Sequence, residues 1–74
     1  MRLMVTANAD SPYTLMIEPW GMTYDLTVDQ RMFVDLEVPL GDQAELVAWP
    51  GGFSIFVCGR AVTRDAEGRV LHEF

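Results

Sequence analysis

The sequence predicts an all-β fold, a small barrel or sandwich of about six to eight short antiparallel strands. Two observations carry that expectation. Apolar and polar residues alternate with a period of two along most of the chain, and turn-forming residues interrupt the alternation every 8–12 residues or so. A third bounds its size: 74 residues and 8.3 kDa imply a folded surface of roughly 4,600 Å², enough for one small core. The expected organisation is therefore one β domain over residues 1–74.

Residues 2–7 read as the first strand, closed by the turn signal Ala9-Asp10-Ser11-Pro12. Tyr13 to Ile17 is the second, ended by Glu18-Pro19-Trp20-Gly21, where proline cannot donate to a ladder. Met22, Tyr24, Leu26 and Val28 then alternate with Thr23, Asp25, Thr27 and Asp29. Met32, Val34, Leu36 and Val38 alternate with Arg31, Phe33, Asp35 and Glu37. A helix across 25–38 would scatter its apolar residues too widely around the circumference, so the two runs read as a hairpin turning at Asp29-Gln30. Leu40-Gly41-Asp42-Gln43 is a turn, Glu45 to Trp49 a strand, and Pro50-Gly51-Gly52 a break. Phe53 to Cys58 is apolar on both sides apart from Ser54, which predicts a central strand covered on both faces. After a bend at Gly59, Arg60–Arg64 and Arg69–Phe74 flank Asp65-Ala66-Glu67-Gly68, a type I turn followed by a left-handed glycine. That register sets Asp65 opposite Arg69, Thr63 opposite Leu71 and Val62 opposite His72.

Half of the residues are hydrophobic, which argues against disorder, and no apolar run approaches the ~18 residues that cross a bilayer. The N-terminus reaches polar residues too soon for a signal peptide, and the single Cys58 cannot form an internal disulfide. A soluble, cytoplasmic protein is the resulting expectation. The formal charge is −6, with eight acids and two arginines in residues 1–59 and three of each in residues 60–74. Direct binding to nucleic acid or to an acidic membrane is disfavoured, because either needs a basic face.

Catalysis finds little purchase. The only histidine, His72, has no acid or nucleophile placed beside it by sequence, and Cys58 reads as a small buried hydrophobe. One His and one Cys without ligand spacing make no zinc site. Asp25, Asp29, Asp35 and Glu37 lack the calcium-loop pattern and read as a solvated polar face. Gly51-Gly52 precedes a strand, not a helix N-terminus, and so does not cradle phosphate. No catalytic residue, metal or cofactor is expected.

The aromatics are more informative. Phe33 falls on the polar side of its strand, Trp49 ends a strand beside Pro50, Trp20 stands in a turn, and Tyr24 is on the hairpin. Large apolar groups at such places mark a surface that meets something, so Trp20, Tyr24, Phe33 and Trp49 are the candidate binding residues. The competing reading has Trp20 and Trp49 capping the two ends of the fold. The methionines Met4, Met16, Met22 and Met32 suit gaps in the core.

Glu18-Pro19-Trp20-Gly21, Tyr24-Asp25-Leu26, Arg31 to Val38 and Trp49-Pro50-Gly51 together resemble short uncharacterised bacterial all-β proteins with an E-P-W-G strand end. The resemblance covers about residues 15–58 and implies no activity; those proteins have a Pro-Gly turn where this chain has Thr27-Val28-Asp29-Gln30. The expected function is a non-catalytic module that self-associates as a homo-oligomer or binds another protein. The alternatives are a small-molecule pocket or small enzyme active only as an oligomer, using Trp20, Tyr24 and Trp49 at a barrel mouth, and an acidic decoy. The decoy would use the acids of residues 10–45 to occupy the groove of a nucleic-acid-binding protein.

Overall fold

The computed structural model describes residues 1–8 and 12–74, so the expected turn at Ala9-Asp10-Ser11 lies outside the described residues. Eight strands form: β1 Arg2–Thr6, β2 Tyr13–Glu18, β3 Met22–Leu26, β4 Arg31–Glu37, β5 Glu45–Trp49, β6 Gly52–Phe56, β7 Arg60–Arg64 and β8 Val70–Glu73. No helix is present among the described residues, and none is long and apolar enough to cross a membrane. The strands divide into two four-stranded sheets, ordered β1-β4-β7-β8 and β3-β2-β6-β5. All neighbours are antiparallel except β2 and β6, which run parallel.

Alternation puts one row of each strand inward. Val5, Met32, Val34, Leu36 and Ala61 from the first sheet and Leu15, Ile17, Leu26 and Ile55 from the second join in one buried cluster. Leu15, Ile17, Val34 and Ile55 are wholly buried, and the total surface is 4772 Å², close to the value expected from mass.

Two close approaches depend on glycine. A Cβ at Gly52 would overlap the carbonyl oxygen of Thr14 on β2, so the parallel β2–β6 contact requires hydrogen there. Gly59, at φ +146°, likewise presses on the Glu37 carbonyl where the chain leaves the second sheet for the first.

Several expectations are corrected by this topology. Residues 22–38 are not a hairpin: β3 lies in the second sheet and β4 in the first, and the expected reversal is a crossing between sheets. In that crossing the Asp29 N–H donates to the Ala7 carbonyl and the Ala7 N–H to the Gln30 carbonyl, tying it to the end of β1. Gly52 belongs to β6 and not to the break before it. β6 is interior, between β2 and β5, yet its outward side stays partly open, with Phe56 41% exposed. The 65–68 turn forms with Asp65 and Arg69 bonded as expected, but a bulge at Thr63/Arg64 shifts the next pair. Thr63 therefore faces His72, not Leu71, and Val62 faces Glu73.

On the outward side of the first sheet, Asp35 accepts hydrogen bonds from Arg2 Nε (2.6 Å) and Nη2 (3.0 Å), and from Arg64 Nε (2.8 Å). The Arg2 contacts, then those of Arg64, hold its carboxyl far below the usual carboxylate range. Because the folded value lies below the unfolded one near 3.9, this cluster stabilises the fold above that pH and its contribution fades as pH falls. Asp35→Asn should cost about 1 kcal/mol at neutral pH, allowing for solvent screening. Urea titrations from pH 6 to pH 2 should show that difference shrinking; parallel curves would refute it.

Candidate functional site

The four aromatic candidates are not brought together. Trp20, in the turn between β2 and β3, stacks on Phe74 after β8, with ring centroids 4.8 Å apart and planes at 26°. This contact bridges the two sheets, as an end cap would, while leaving Trp20 42% exposed. Phe33 is on the outward side of β4, half-buried, with the Arg2 guanidinium 5.2 Å from its ring centroid. Trp49 ends β5 and lies against Gly52, its register partner, on the outward side of the second sheet.

Tyr24 points the other way, toward the first sheet. Its hydroxyl lies 2.7 Å from Thr63 Oγ1 on β7 and 2.8 Å from His72 Nδ1 on β8. The Thr63 hydroxyl also donates to the His72 carbonyl at 3.5 Å, and Thr63 is wholly buried. Burial first of all pushes the Tyr24 hydroxyl above its ordinary value, with the Thr63 bond opposing. His72 thus has two hydroxyls beside it, which the one-residue register shift at the bulge produces and the sequence reading missed. Both hydroxyls are bonded within this cluster, an arrangement that joins the two sheets.

Cys58 is exposed, not buried, and its Sγ lies 3.7 Å from Asp42 Oδ2, away from His72 and its Tyr24 and Thr63 partners. Asp25 sits in the second sheet, where it accepts a 2.7 Å bond from Thr14 Oγ1, while Asp35 and Glu37 sit in the first. No cluster of three metal-ligating side chains occurs among the described residues. Of the methionines, Met32 is buried and Met22 packs on the core, but Met4 is 58% exposed.

Two shallow hollows open at the surface, one between β1 of the first sheet and β2 and β6 of the second, the other beside β5 and β6. One, about 360 Å³, is lined by Met4, Val5, Thr6, Asn8, Tyr13 and Phe53. The other, about 340 Å³, is lined by Pro19, Gln43, Glu45, Phe56, Val57 and Cys58. Neither is lined by Trp20, Tyr24 or Trp49, the residues expected at a ligand mouth.

Two edge strands, β8 and the longer β5, are exposed at every position, and β5 is the more apolar of them. It forms one edge of its sheet, and all five of its residues are exposed, with Leu46 at 58%, Val47 at 43% and Trp49 at 37%. Apolar side chains are thus bare on both faces of one strand. The remaining edges carry more charge: Arg2 on β1, Asp25 on β3, and His72 and Glu73 on β8, whose Val70 and Leu71 are also exposed but whose partner is bulged. On β5 the only charge is Glu45, at the strand's first position.

The outward face of the same sheet continues this surface. Register rows across β2, β6 and β5 read Glu18-Phe56-Glu45, Met16-Ser54-Val47 and Thr14-Gly52-Trp49. Met16, Val47, Phe56 and Trp49 supply the apolar groups of these rows, and Glu18 and Glu45 flank Phe56 at one end. The sequence named Trp49 but gave no reason to single out Leu46, Val47 or Phe56, since a run such as Leu-Val-Ala-Trp reads equally well as a buried strand. Comparison with family models, with curated proteins and with solved structures finds no match.

Proposed function

We propose that this protein is a non-catalytic interaction module, a two-sheet β-sandwich that binds another polypeptide by adding a strand to β5. The observation that carries the reading is an edge strand exposed at every position and apolar at four of five. An unpaired edge offers a row of backbone donors and acceptors, and bare side chains on both faces add apolar contact to those hydrogen bonds. Leu46, Val47 and Trp49 on β5, with Phe56 beside them on β6, form an exposed apolar group there. The Tyr24–Thr63–His72 cluster and the Trp20–Phe74 stack act in this reading as internal fastenings.

Val47→Lys tests it. Lysine at an exposed edge position should change stability by less than about 0.5 kcal/mol, and it blocks strand addition. Sedimentation equilibrium up to millimolar concentration, with cross-linking in native lysate, should show a stoichiometric complex in the wild type that Val47→Lys loses. Phe33→Asp, on the opposite sheet, should keep the complex. A wild-type chain that stays monomeric and cross-links to nothing, or a complex that survives Val47→Lys but not Phe33→Asp, would overturn the assignment.

A further inference from the structure

The two sheets differ in charge in a way that selects the partner. All five arginines, at positions 2, 31, 60, 64 and 69, lie on the strands of the first sheet or in the β7–β8 turn. Five acids share that part of the molecule: Asp35, Glu37, Asp65, Glu67 and Glu73. Five against five cancels, so the −6 of the whole chain belongs to the remaining six acids: Asp10, Glu18, Asp25, Asp29, Asp42 and Glu45. Asp10 lies outside the described residues, and Glu18, Asp25 and Glu45 sit on the second sheet's own strands. Those four strands contain no basic residue.

We infer that the strand received by β5 is a cationic apolar segment of a partner protein. This rests on the interaction reading above and adds the chemistry of the occupant. A strand laid beside β5 runs about 4.8 Å away, with its side chains in register with those of β5. On the outward face it meets Glu45, Val47 and Trp49 in turn, and on the other face Leu46 and Ala48. Opposite Glu45 an arginine or lysine gains a carboxylate, with the exposed Phe56 ring next to it in the same row and Glu18 beyond. Opposite Trp49 a second cation gains the indole face. The three positions between them meet Leu46, Val47 and Ala48 and call for apolar residues. The recognised pattern is basic-apolar-apolar-apolar-basic, which reads the same in either strand direction.

A second copy of this chain fits less well. Two-fold pairing about Val47 sets Glu45 opposite Trp49 of the other copy, with no cation on either side, and brings together the two halves that hold all the net charge. A basic surface evolved for nucleic acid belongs to the favoured class, and there the acidic-decoy expectation and this proposal meet.

The test uses the intact protein, isotopically labelled, and two probe peptides capped at both ends: Ser-Arg-Val-Val-Val-Arg-Ser and Ser-Glu-Val-Val-Val-Glu-Ser. The basic peptide should shift amide resonances of residues 45–49 and 52–56, and the acidic one should not. Affinity should fall several-fold when sodium chloride rises from about 0.05 to 0.5 M. Glu45→Lys should weaken the basic peptide at least about tenfold and admit the acidic one; Glu45→Gln, which keeps size and removes charge, should lie between. Equal binding of both peptides, shifts confined to the arginine-bearing sheet, or no shift with either peptide at millimolar concentration would overturn the partner class. Self-association of the peptide-free chain through β5 would overturn it in favour of a second copy. In each of those cases a native complex lost with Val47→Lys would still uphold the interaction module, so the two readings fail separately.

Discussion

Gly52→Ala should cost about 4 kcal/mol or more and leave the chain largely unfolded at room temperature. The whole stability of a chain this size is only about 4–11 kcal/mol. The added methyl has nowhere to go, since it would occupy the space of the Thr14 carbonyl oxygen and lie 3.0 Å from the Trp49 ring. The indole could swing away, but the carbonyl is backbone within β2 and moves only if the β2–β6 ladder opens. That ladder joins the β2–β3 hairpin to the β5–β6 hairpin, and the wholly buried Leu15, Ile17 and Ile55 sit along it. Gly51→Ala is the matched control: its Cβ would meet only Trp49 Nε1, at an ordinary 3.8 Å. Urea denaturation followed by circular dichroism should find Gly51→Ala near wild type and Gly52→Ala without a folded baseline. Equal stability of the two variants would contradict the parallel pairing.

Tyr24→Phe should destabilise the protein by about 2 kcal/mol, a fall in Tm of about 10 °C. Removing the hydroxyl leaves the ring in place but takes from Thr63 its 2.7 Å partner. Thr63 is wholly buried, so water cannot substitute, and its remaining contact, to the His72 carbonyl, is 3.5 Å long. His72 is exposed and can turn to solvent, so His72→Gln should cost much less than Tyr24→Phe. Thr63→Val in the Tyr24→Phe background should recover part of the loss, because it removes the stranded hydroxyl while keeping the volume. Calorimetry of the wild type and these three variants checks this; a Tyr24→Phe protein as stable as wild type would show that packing alone joins the sheets at this end.

Much of the local structure was legible because it depends on neighbours in the chain. The strands at 45–49 and 60–64 coincide with the alternation, and the 65–68 turn carries its Asp65–Arg69 bond. The other strands fall within about two residues of the expected limits. The supposed hairpin at 22–38 shows where such reading stops. An alternating strand has one apolar row whether it pairs with the next strand or crosses to the other sheet, because both sheets turn their apolar rows to the same core. The four aromatics illustrate the same limit. Their residue types mark them as candidates, but Trp20 finds Phe74, Tyr24 finds Thr63 and His72, Phe33 finds Arg2, and only Trp49 lies on the open β5 face.

By itself, the sequence determined an all-β chain with the 65–68 turn and a core of about this size, since those follow from periodicity, turn chemistry and mass. It also determined that acids dominate the first 59 residues. Tertiary structure alone decided that the arginines gather on one sheet, that a bulge brings His72 opposite Thr63, and that β5 is left bare on both faces. The physical reason is that exposure and charge separation belong to strand order, and strand order is set by pairings such as Thr14 with Gly52, between residues far apart in the chain.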